Sequence, residues 1–329
     1  MESIVRKRVC SLGLVWILAI CALCAADQPQ PSIAGKRVLW LGDSITQAGD
    51  YVTFVLYYLD RQYPNAHFDI VAVGLSSETA SCLSEKAHPF PRPCVVERLQ
   101  RALDLVKPQI VIACYGMNDA IYHPFSVARF SAFQQGILRI IHASHSAGAR
   151  VILLTTPPFD PIPVKHLAGP DATDFSYREP FGRYDETLAD FARWEMTLDP
   201  RKQATLIDLH GPMDAYLEAR RRTEPHFSLS PADGIHPVLE GHLLMARLVL
   251  EGLHVPVPCG RLASELARIQ ADPLYSLVKT QRESRSAGWL DYIGYTRDKT
   301  VKTDSVGSVE SQNTLLEGQI DQQRRDAKQ

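Results

Sequence analysis

The chain has 329 residues, of which 45% are hydrophobic and 22% are charged. This length accommodates one large domain or two smaller ones, and the composition is that of a globular protein, which excludes disordered, collagen-like and coiled-coil classes. The 35 lysines and arginines nearly balance the 37 aspartates and glutamates, so the formal net charge is only −2. Because no basic field covers the chain, nucleic acid is not expected as a partner.

The first 26 residues differ in kind from the rest. Arg6, Lys7 and Arg8 precede an apolar run from Val9 to Leu23, and small residues then lead to the polar Asp27. This order predicts a cleavable signal peptide at 1–26, with a secreted or periplasmic mature protein that has no membrane partner. The alternative is an uncleaved membrane anchor, because the apolar run approaches the length that spans a bilayer.

Four cysteines follow the predicted signal peptide: Cys82, Cys94, Cys114 and Cys259. In an oxidising compartment they allow three complete pairings, all of which stay open from the sequence. Cys82 and Cys94 flank a proline-rich loop that a disulfide between them would close, whereas Cys114 lies in an apolar run typical of a buried thiol. After residue 26 the chain has no CxxC pair and no His/Cys spacing typical of zinc, so we expect no metal.

After a polar linker at 27–35, short apolar runs alternate with longer segments of helical periodicity over residues 36–255. This alternation predicts an α/β domain with a mainly parallel sheet wrapped by helices. The predicted strands are 37–41, 68–73, 109–115, 150–155 and 205–209. The predicted helices are 51–62, 96–106, 126–146, 184–198, 213–222 and 237–253. Residues 157–183 have no clear period, and such a long loop is expected to border a functional site.

Residues 256–329 are predicted to form a C-terminal extension that is partly helical, around residues 288–295, and ends in a polar tail. The extension combines cations with aromatic rings, namely Arg282, Arg285, Trp289, Tyr292 and Tyr295. This combination suits sugar stacking or carboxylate binding. The alternative, which we favour, is that these side chains pack the extension onto the core.

Polar residues follow three predicted strands and precede the last helix of the domain. Ser44 follows the first strand, Gly74 the second and Asn118 the third, while Asp233 and His236 lie just before the helix. In doubly wound sheets reactive groups gather at the carboxyl ends of strands. Each residue alone also has a structural explanation as a helix cap, a turn residue or a loop histidine. Thr46 stands where a Gly-x-Ser-x-Gly nucleophile motif requires its second glycine.

Together these residues supply the parts of an acyl-transfer site. Ser44 is the candidate nucleophile, His236 its base and Asp233 the carboxylate that orients the imidazole. The backbone amides of Ser44 and Gly74 and the side-chain amide of Asn118 are the candidate oxyanion donors.

Other residues compete for these roles. Asp208 and His210, near the end of the fifth strand, form an alternative acid and base, and His226 and His242 are further histidines without a clear role. Glu78 and its neighbours at 76–85 are expected either to contact substrate or to form a solvated loop.

At these positions the sequence resembles the SGNH hydrolase superfamily, also called GDSL-type esterases. Ser44 lies in a GDSIT block, Asn118 in a GMND block, and Asp233 and His236 in a D-x-x-H block, while Gly74 is the weakest match. The resemblance covers residues 36–253. It implies a flavodoxin-like three-layer α/β/α sandwich with a five-stranded sheet, no cofactor, and a serine that is acylated and then released by water.

The resemblance also implies a small ester or an acylated glycan as substrate. The family includes acetylesterases, lysophospholipases, thioesterases and lipases, so the fold does not choose among them. Residues 1–26 carry a net charge of +2, so the mature chain is more acidic than the full chain, at −4. The signal peptide, this negative charge and the absence of a long apolar lid segment favour a short acyl group, such as acetyl, on a carbohydrate. A lysophospholipase or thioesterase, and a non-catalytic carbohydrate-binding protein of the same fold, remain as alternatives. The sequence predicts no oligomeric state.

Overall fold

The computed structural model describes residues 30–297 and 306–326. The predicted signal peptide at 1–26 and the first three residues of the predicted linker, 27–29, lie outside the described residues. Among the helices of the described ranges, none is both long enough and apolar enough to cross a membrane.

Five parallel strands form one sheet in the order β2-β1-β3-β4-β5. Their bounds are β1 Arg37–Gly42, β2 Asp69–Ala72, β3 Ile110–Cys114, β4 Arg150–Leu154 and β5 Thr205–Ile207. Every residue of the central β3 is buried, as expected when helices cover both faces of a parallel sheet. The predicted five-stranded α/β fold is therefore confirmed.

Helices connect and flank these strands. Those of the predicted domain are α1 Ser44–Ala48, α2 Asp50–Gln62, α3 Val96–Val106, α4 Val127–Ser146, α5 Tyr184–Glu195, α6 His210–Arg221 and α7 Leu239–Gly252. Helices α2 and α7 pack together on one face of the sheet, and α3 and α4 pack together on the other, which gives three layers. The six predicted helices are found, but α1 is additional, because five residues are too few to show a period.

The chain reverses its direction across the sheet between β1 and β3. From β1 it passes to β2 on one side, and it then crosses back to β3 on the other side. A crevice forms at such a switch point, outside the carboxyl ends of the two strands. The residues after β1 and β3 therefore meet there, and these are the segments that carry Ser44 and Asn118.

The C-terminal extension consists of α8 Leu262–Gln270, α9 Pro273–Ile293 and α10 Gly307–Asp326, so the helices extend well beyond the stretch that was predicted. Helix α9 packs against β2, which is an edge strand of the sheet. Arg285 of α9 donates from Nη1 to the backbone oxygen of Ile70, at 3.1 Å, and from Nη2 to Asp69, at 2.7 Å. The extension thus satisfies a β2 backbone acceptor and covers this edge.

The aromatic and cationic residues of the extension serve this packing. Arg282 and Trp289 are buried, and Tyr292 and Tyr295 pack partly buried against the core. Arg282 donates from Nε to Thr53 Oγ1 at 3.0 Å. The interpretation that these side chains attach the extension to the core is therefore confirmed.

Residues 157–183 contain no helix and no named strand, as predicted. This loop packs beside the turn that carries Asp233 and His236, where the backbone N–H of Asp160 donates to the oxygen of Gly234 at 2.8 Å. Gly234 has a φ of +75°, and a Cβ atom there would lie 2.1 Å from the oxygen of Asp160. Only glycine allows this close approach, so the loop borders the candidate site.

Candidate active site

Ser44 is presented by the sharp turn from β1 into α1. The N-cap of α1 is Asp43, whose carboxylate accepts a hydrogen bond from the backbone N–H of Ile45 at 3.0 Å. Because Asp43 caps the helix, the hydroxyl of Ser44 is not needed for that purpose. The Ser44 side chain is half-buried at the carboxyl edge of the sheet.

His236 joins Ser44 to Asp233 through a continuous chain of hydrogen bonds. The Nε2 atom of His236 lies 2.8 Å from Ser44 Oγ, and its Nδ1 atom lies 2.6 Å from Asp233 Oδ2. The other carboxylate oxygen of Asp233 accepts the backbone N–H groups of Ile235 and His236, both at 2.9 Å. The short turn thereby fixes the carboxylate against the ring, and 192 positions of sequence separate the serine from the histidine.

The pKa values of this pair are displaced in opposite directions. The hydrogen bond with Asp233 raises the pKa of His236 above its ordinary value, although partial burial opposes this. Partial burial acts to raise the pKa of Asp233, but hydrogen bonds from His236 and from the two backbone N–H groups bring it below its ordinary value. Burial also raises the pKa of nearby Asp43 to about 7. The local charges therefore favour an imidazolium at His236.

Three N–H groups that follow β1, β2 and β3 at the carboxyl edge of the sheet are candidate donors to an oxyanion. The backbone amides of Ser44 and Gly74 donate to no other described residue. Gly74 packs so tightly on α1 that a Cβ atom would lie 2.2 Å from the backbone nitrogen of Gln47. Position 74 therefore has to be glycine, and this contact brings its backbone next to the first turn of α1.

Asn118 is buried, and its amide is held at both ends. Its Oδ1 atom accepts from Arg92 Nη1 at 3.0 Å and from the Tyr122 hydroxyl at 2.8 Å. Its Nδ2 atom donates to the backbone oxygen of Glu78 at 3.3 Å. The second N–H of the amide has no partner among the described residues, which leaves it available to a substrate oxygen.

The structure separates the competing residues from Ser44. His210 contacts Thr156 O through Nδ1 at 3.3 Å and Asp185 through Nε2 at 3.7 Å, and Asp208 accepts from Thr155. His226 is exposed, and His242 is buried with its ring stacked on Tyr51. None of these forms a hydrogen bond with Ser44. Across residues 30–297 and 306–326, no group of three or more His, Cys, Asp or Glu side chains is arranged to hold a metal ion.

The prediction for Glu78 is wrong. Its side chain is neither solvated nor free to contact substrate, because it is completely buried and makes two 2.6 Å hydrogen bonds with Arg98. The Tyr115 hydroxyl donates to the same carboxylate at 2.6 Å. A buried carboxylate of this kind is retained because a cation and donors satisfy it. Glu78 therefore reaches Asn118 only through its backbone oxygen.

The cysteine positions resolve the pairing that the sequence left open. Cys82 and Cys94 form a disulfide, while Cys114 is a free, buried thiol as predicted and Cys259 is free and exposed. We refer to residues 82–94 as the disulfide loop. It carries Glu85 and Arg92, whose side chains are almost completely buried and make two 2.6 Å hydrogen bonds with each other.

Sequence analysis did not identify Arg92 or Tyr122, and it included Glu85 only as the end of the stretch 76–85 that was expected to contact substrate or to form a solvated loop. Arg92 lies between two prolines in a segment without periodicity, where a charged residue is ordinarily exposed. The one available signal was the pair of cysteines around it, because a loop closed by a disulfide is ordered enough to position side chains.

The sequence matches the model of the GDSL-like lipase/acylhydrolase family over residues 40–244. The match spans more than half of the chain and contains all the candidate site residues, so the chain belongs to this family. It is a hydrolase of carboxylic ester bonds, of the SGNH or GDSL type.

Solved structures of similar fold include enzymes of this kind. A catalytic mutant of an acetylxylan esterase from Geobacillus stearothermophilus aligns with a TM-score of 0.51 at 17% identity, over 69% of this chain and 98% of that one. A gut microbial diltiazem-metabolizing enzyme aligns with a TM-score of 0.49 at 22% identity, and the alignment covers 68% of this chain but only 48% of that one. An alpha/beta hydrolase enzyme from the metagenome of Lake Arreo, Spain, aligns with a TM-score of 0.46 at 21% identity, and the alignment covers 67% of this chain and 96% of that one. A search of curated proteins gave no match.

Proposed function

We propose that this ester hydrolase uses Ser44 as nucleophile, His236 as general base and acid, and Asp233 as the carboxylate that orients the ring. The observation that carries the proposal is the unbroken chain from Ser44 Oγ to His236 Nε2, at 2.8 Å, and from His236 Nδ1 to Asp233, at 2.6 Å. A neutral serine requires such a base within hydrogen-bond reach to become an effective nucleophile.

In the proposed acylation, Ser44 Oγ attacks the ester carbonyl while His236 Nε2 takes the hydroxyl proton. The carbonyl oxygen becomes an oxyanion, which the amides of Ser44, Gly74 and Asn118 stabilise. When the tetrahedral intermediate collapses, the bond to the alcohol breaks and His236 returns the proton to the departing alkoxide. Asp233 stabilises the imidazolium that exists between these two transfers.

Deacylation repeats these steps with water. His236 removes a proton from the water, the resulting hydroxide attacks the acyl carbon, and the Ser44 oxygen leaves with the proton that His236 held. The products are a carboxylic acid and the free serine, so the reaction requires no redox partner or metal.

We further propose that the acyl group is short, acetyl in the first instance, and that the alcohol belongs to a carbohydrate. The His236 and Asp233 side chains are 47% and 40% exposed, so solvent reaches the reactive groups and a bulky alcohol has room there. An acetylxylan esterase shares the fold, which makes acetylated xylan the first glycan to assay.

Export by the predicted signal peptide at 1–26 completes the proposal. The Cys82–Cys94 disulfide supports it, since structural disulfides persist mainly in secreted and periplasmic proteins. Expression of the full chain followed by N-terminal sequencing of secreted material tests this part. A cell-associated product that keeps residues 1–26 would favour the membrane anchor instead.

The mechanism is tested with a fluorophosphonate probe and mass spectrometry of the modified peptide. We expect covalent labelling at Ser44, and loss of labelling and of esterase activity in Ser44→Ala. Acetate release from acetylated xylan, without cleavage of long-chain lysophospholipid, supports the substrate class. The opposite pattern supports the lysophospholipase alternative, and glycan binding with an unlabelled Ser44 supports a non-catalytic protein.

A further inference from the structure

The Glu85–Arg92 ion pair of the disulfide loop has no role in the reaction described above. Both side chains are buried, with 2% and 1% of their surfaces exposed for Arg92 and Glu85 respectively. The Nε and Nη2 atoms of Arg92 are committed to Glu85. Removing two charges from water is unfavourable, and a buried pair is only weak evidence of a stabilising role. The contacts of the third guanidinium nitrogen therefore indicate the role of the pair.

That nitrogen, Nη1, donates to Asn118 Oδ1 at 3.0 Å and also approaches the backbone oxygen of Ser77 at 3.3 Å. The guanidinium also lies over the ring of Tyr122, 5.4 Å from its centre. Arg92 itself is held from its backbone, because its N–H donates to Ser84 Oγ at 3.1 Å. The disulfide loop thus delivers one fixed cationic donor to one end of the Asn118 amide.

An asparagine amide has two ends of nearly equal size, one an acceptor and the other a donor. The Tyr122 hydroxyl is able to donate or to accept, so it tolerates either end of the amide. Arginine has no acceptor, so the amide end that faces Arg92 has to be Oδ1. The Glu78 backbone oxygen, which only accepts, receives Nδ2 at 3.3 Å and favours the same direction. Arg92 makes the shorter and charge-assisted of the two contacts that determine which end of Asn118 faces the substrate.

The direction of this amide matters because an inverted one presents an oxygen to the developing oxyanion. The interaction then changes from attraction to repulsion. The cationic donor also polarises the amide, since a charge-assisted hydrogen bond to Oδ1 strengthens donation from Nδ2. Both effects act on the transition state, where the oxyanion exists, and much less on the bound ester.

We propose that Arg92, anchored by Glu85 within the Cys82–Cys94 loop, is a positioning residue that directs the N–H of Asn118 at the oxyanion. This inference rests on the proposed function, because it requires Asn118 to be an oxyanion donor. It assigns to the disulfide loop a role in catalysis rather than in stability alone.

The test compares Arg92→Lys with Arg92→Gln on acetylated xylan and on p-nitrophenyl acetate. Lysine only donates, so it keeps the direction of the Asn118 amide, whereas glutamine donates or accepts and does not impose a direction. We expect kcat of Arg92→Lys within about 5-fold of the wild type and kcat of Arg92→Gln lower by about 10- to 100-fold, since loss of a whole donor costs about 10²–10³. KM should change by less than about 2-fold in both.

Arg285→Gln is the matched control. It makes the same substitution at a buried, ion-paired arginine of α9, whose contacts with Asp69 and Ile70 lie at the opposite end of the strands. We expect a lower Tm with unchanged kcat. If Arg92→Gln lowers Tm in the same way and leaves kcat at the wild-type value, Arg92 is merely structural and the inference is wrong. Equal kcat values for Arg92→Lys and Arg92→Gln contradict it as well.

Arg92→Gln in an Asn118→Ala background isolates the coupling between Arg92 and Asn118. Because alanine at this position has no amide to direct, Arg92→Gln should cause no further loss of kcat in that background. A further loss equal to that in the native background shows that Arg92 acts elsewhere.

If Arg92→Gln does not fold, Glu85→Gln replaces it, because it releases the anchor and keeps the guanidinium. It is expected to lower kcat in the native background and to have no effect in Asn118→Ala.

Failure of this inference is distinguishable from failure of the proposed function. If Ser44→Ala or Asn118→Ala retains full activity, the proposed mechanism is wrong. If both lose activity while Arg92→Gln does not, the mechanism stands and only the positioning role of Arg92 is rejected.

Discussion

Two buried arginines, in different regions of the molecule, make almost the same set of contacts. Arg92 at the carboxyl edge of the sheet pairs with Glu85 and donates to the side-chain oxygen of Asn118. Arg285 in the extension pairs with Asp69 and donates to the backbone oxygen of Ile70. An amide side chain has two orientations, but a strand carbonyl has one. We therefore propose that the same chemistry directs an amide in one region, whereas it secures packing in the other.

The largest expected effect on kcat comes from Ser44→Ala, at the carboxyl edge of the sheet. Without the hydroxyl no acyl-enzyme forms, so kcat should fall by about 10⁶. Tm should hardly change, because the side chain is only half-buried and does not cap α1. Steady-state kinetics and thermal unfolding measure the two quantities. Ser284→Ala is the control, because Ser284 is also half-buried, on α9, where its hydroxyl donates to Gln312 Oε1 at 3.2 Å. More than a trace of activity in Ser44→Ala would contradict the comparison.

Asp233→Asn should lower kcat by about 10⁴, because the ring loses the carboxylate that fixes its tautomer. The pH profile adds a second readout. His236 accepts a proton only as the neutral base, so activity is present above its pKa and is lost as pH falls through that pKa. Asp233 holds this pKa above the ordinary 6.5. The acid limb of kcat/KM should therefore lie above 6.5 in the wild type and move to lower pH in Asp233→Asn. An unmoved limb would remove Asp233 from this role.

Gly74→Ala should affect activity and stability together, which neither of the preceding variants does. The new Cβ would lie 2.2 Å from the backbone nitrogen of Gln47, so β2 and α1 have to separate. We expect the free energy of unfolding to fall by about 1–3 kcal/mol because of overpacking, and kcat to fall because one proposed oxyanion donor moves. Gly169→Ala is the matched control, because nothing lies within 4 Å of the added atom. Native stability in Gly74→Ala would argue against this close contact.

Arg285→Gln should have the smallest effect on catalysis. It leaves Asp69 and the oxygen of Ile70 without their donor, and the free energy of unfolding should fall by about 2–3 kcal/mol. Chemical denaturation measures this loss, while kcat at a temperature well below Tm should equal that of the wild type. Arg325→Gln on the exposed face of α10 controls for the loss of charge. A lower kcat in Arg285→Gln would show that the extension also influences the active site.

The fold was predictable because its signals are local. Apolar runs such as Ile110–Cys114 and amphipathic periods such as Val96–Val106 appear within a few residues of sequence. Five-residue α1 escaped detection because it is shorter than two helical turns. The extent of α10 was not predicted either, because its polar sequence lacks an apolar face.

The candidate site was predictable where residue type and position after a strand coincide, as at Ser44 and Asn118. The contacts that hold these residues in place were not predictable. Arg92 lies in an irregular loop 26 positions before Asn118, with α3 and β3 between them, and no local pattern encodes their contact. Glu78 was misjudged for a related reason, because its partner Arg98 lies in a separate helix and a lone carboxylate in a loop is ordinarily solvated.

The helix that lies along β2 has a consequence for any shortened form of the chain. A protein ending at residue 255 keeps every residue that the family model matches, yet it leaves the outer side of β2 without a neighbour. Unprotected strands pair with strands of other copies, and the Val-Ile-rich core sequence of this sheet favours such pairing. Truncation to the matched domain should therefore yield an enzyme that self-associates into insoluble material, even though its reactive groups are all present.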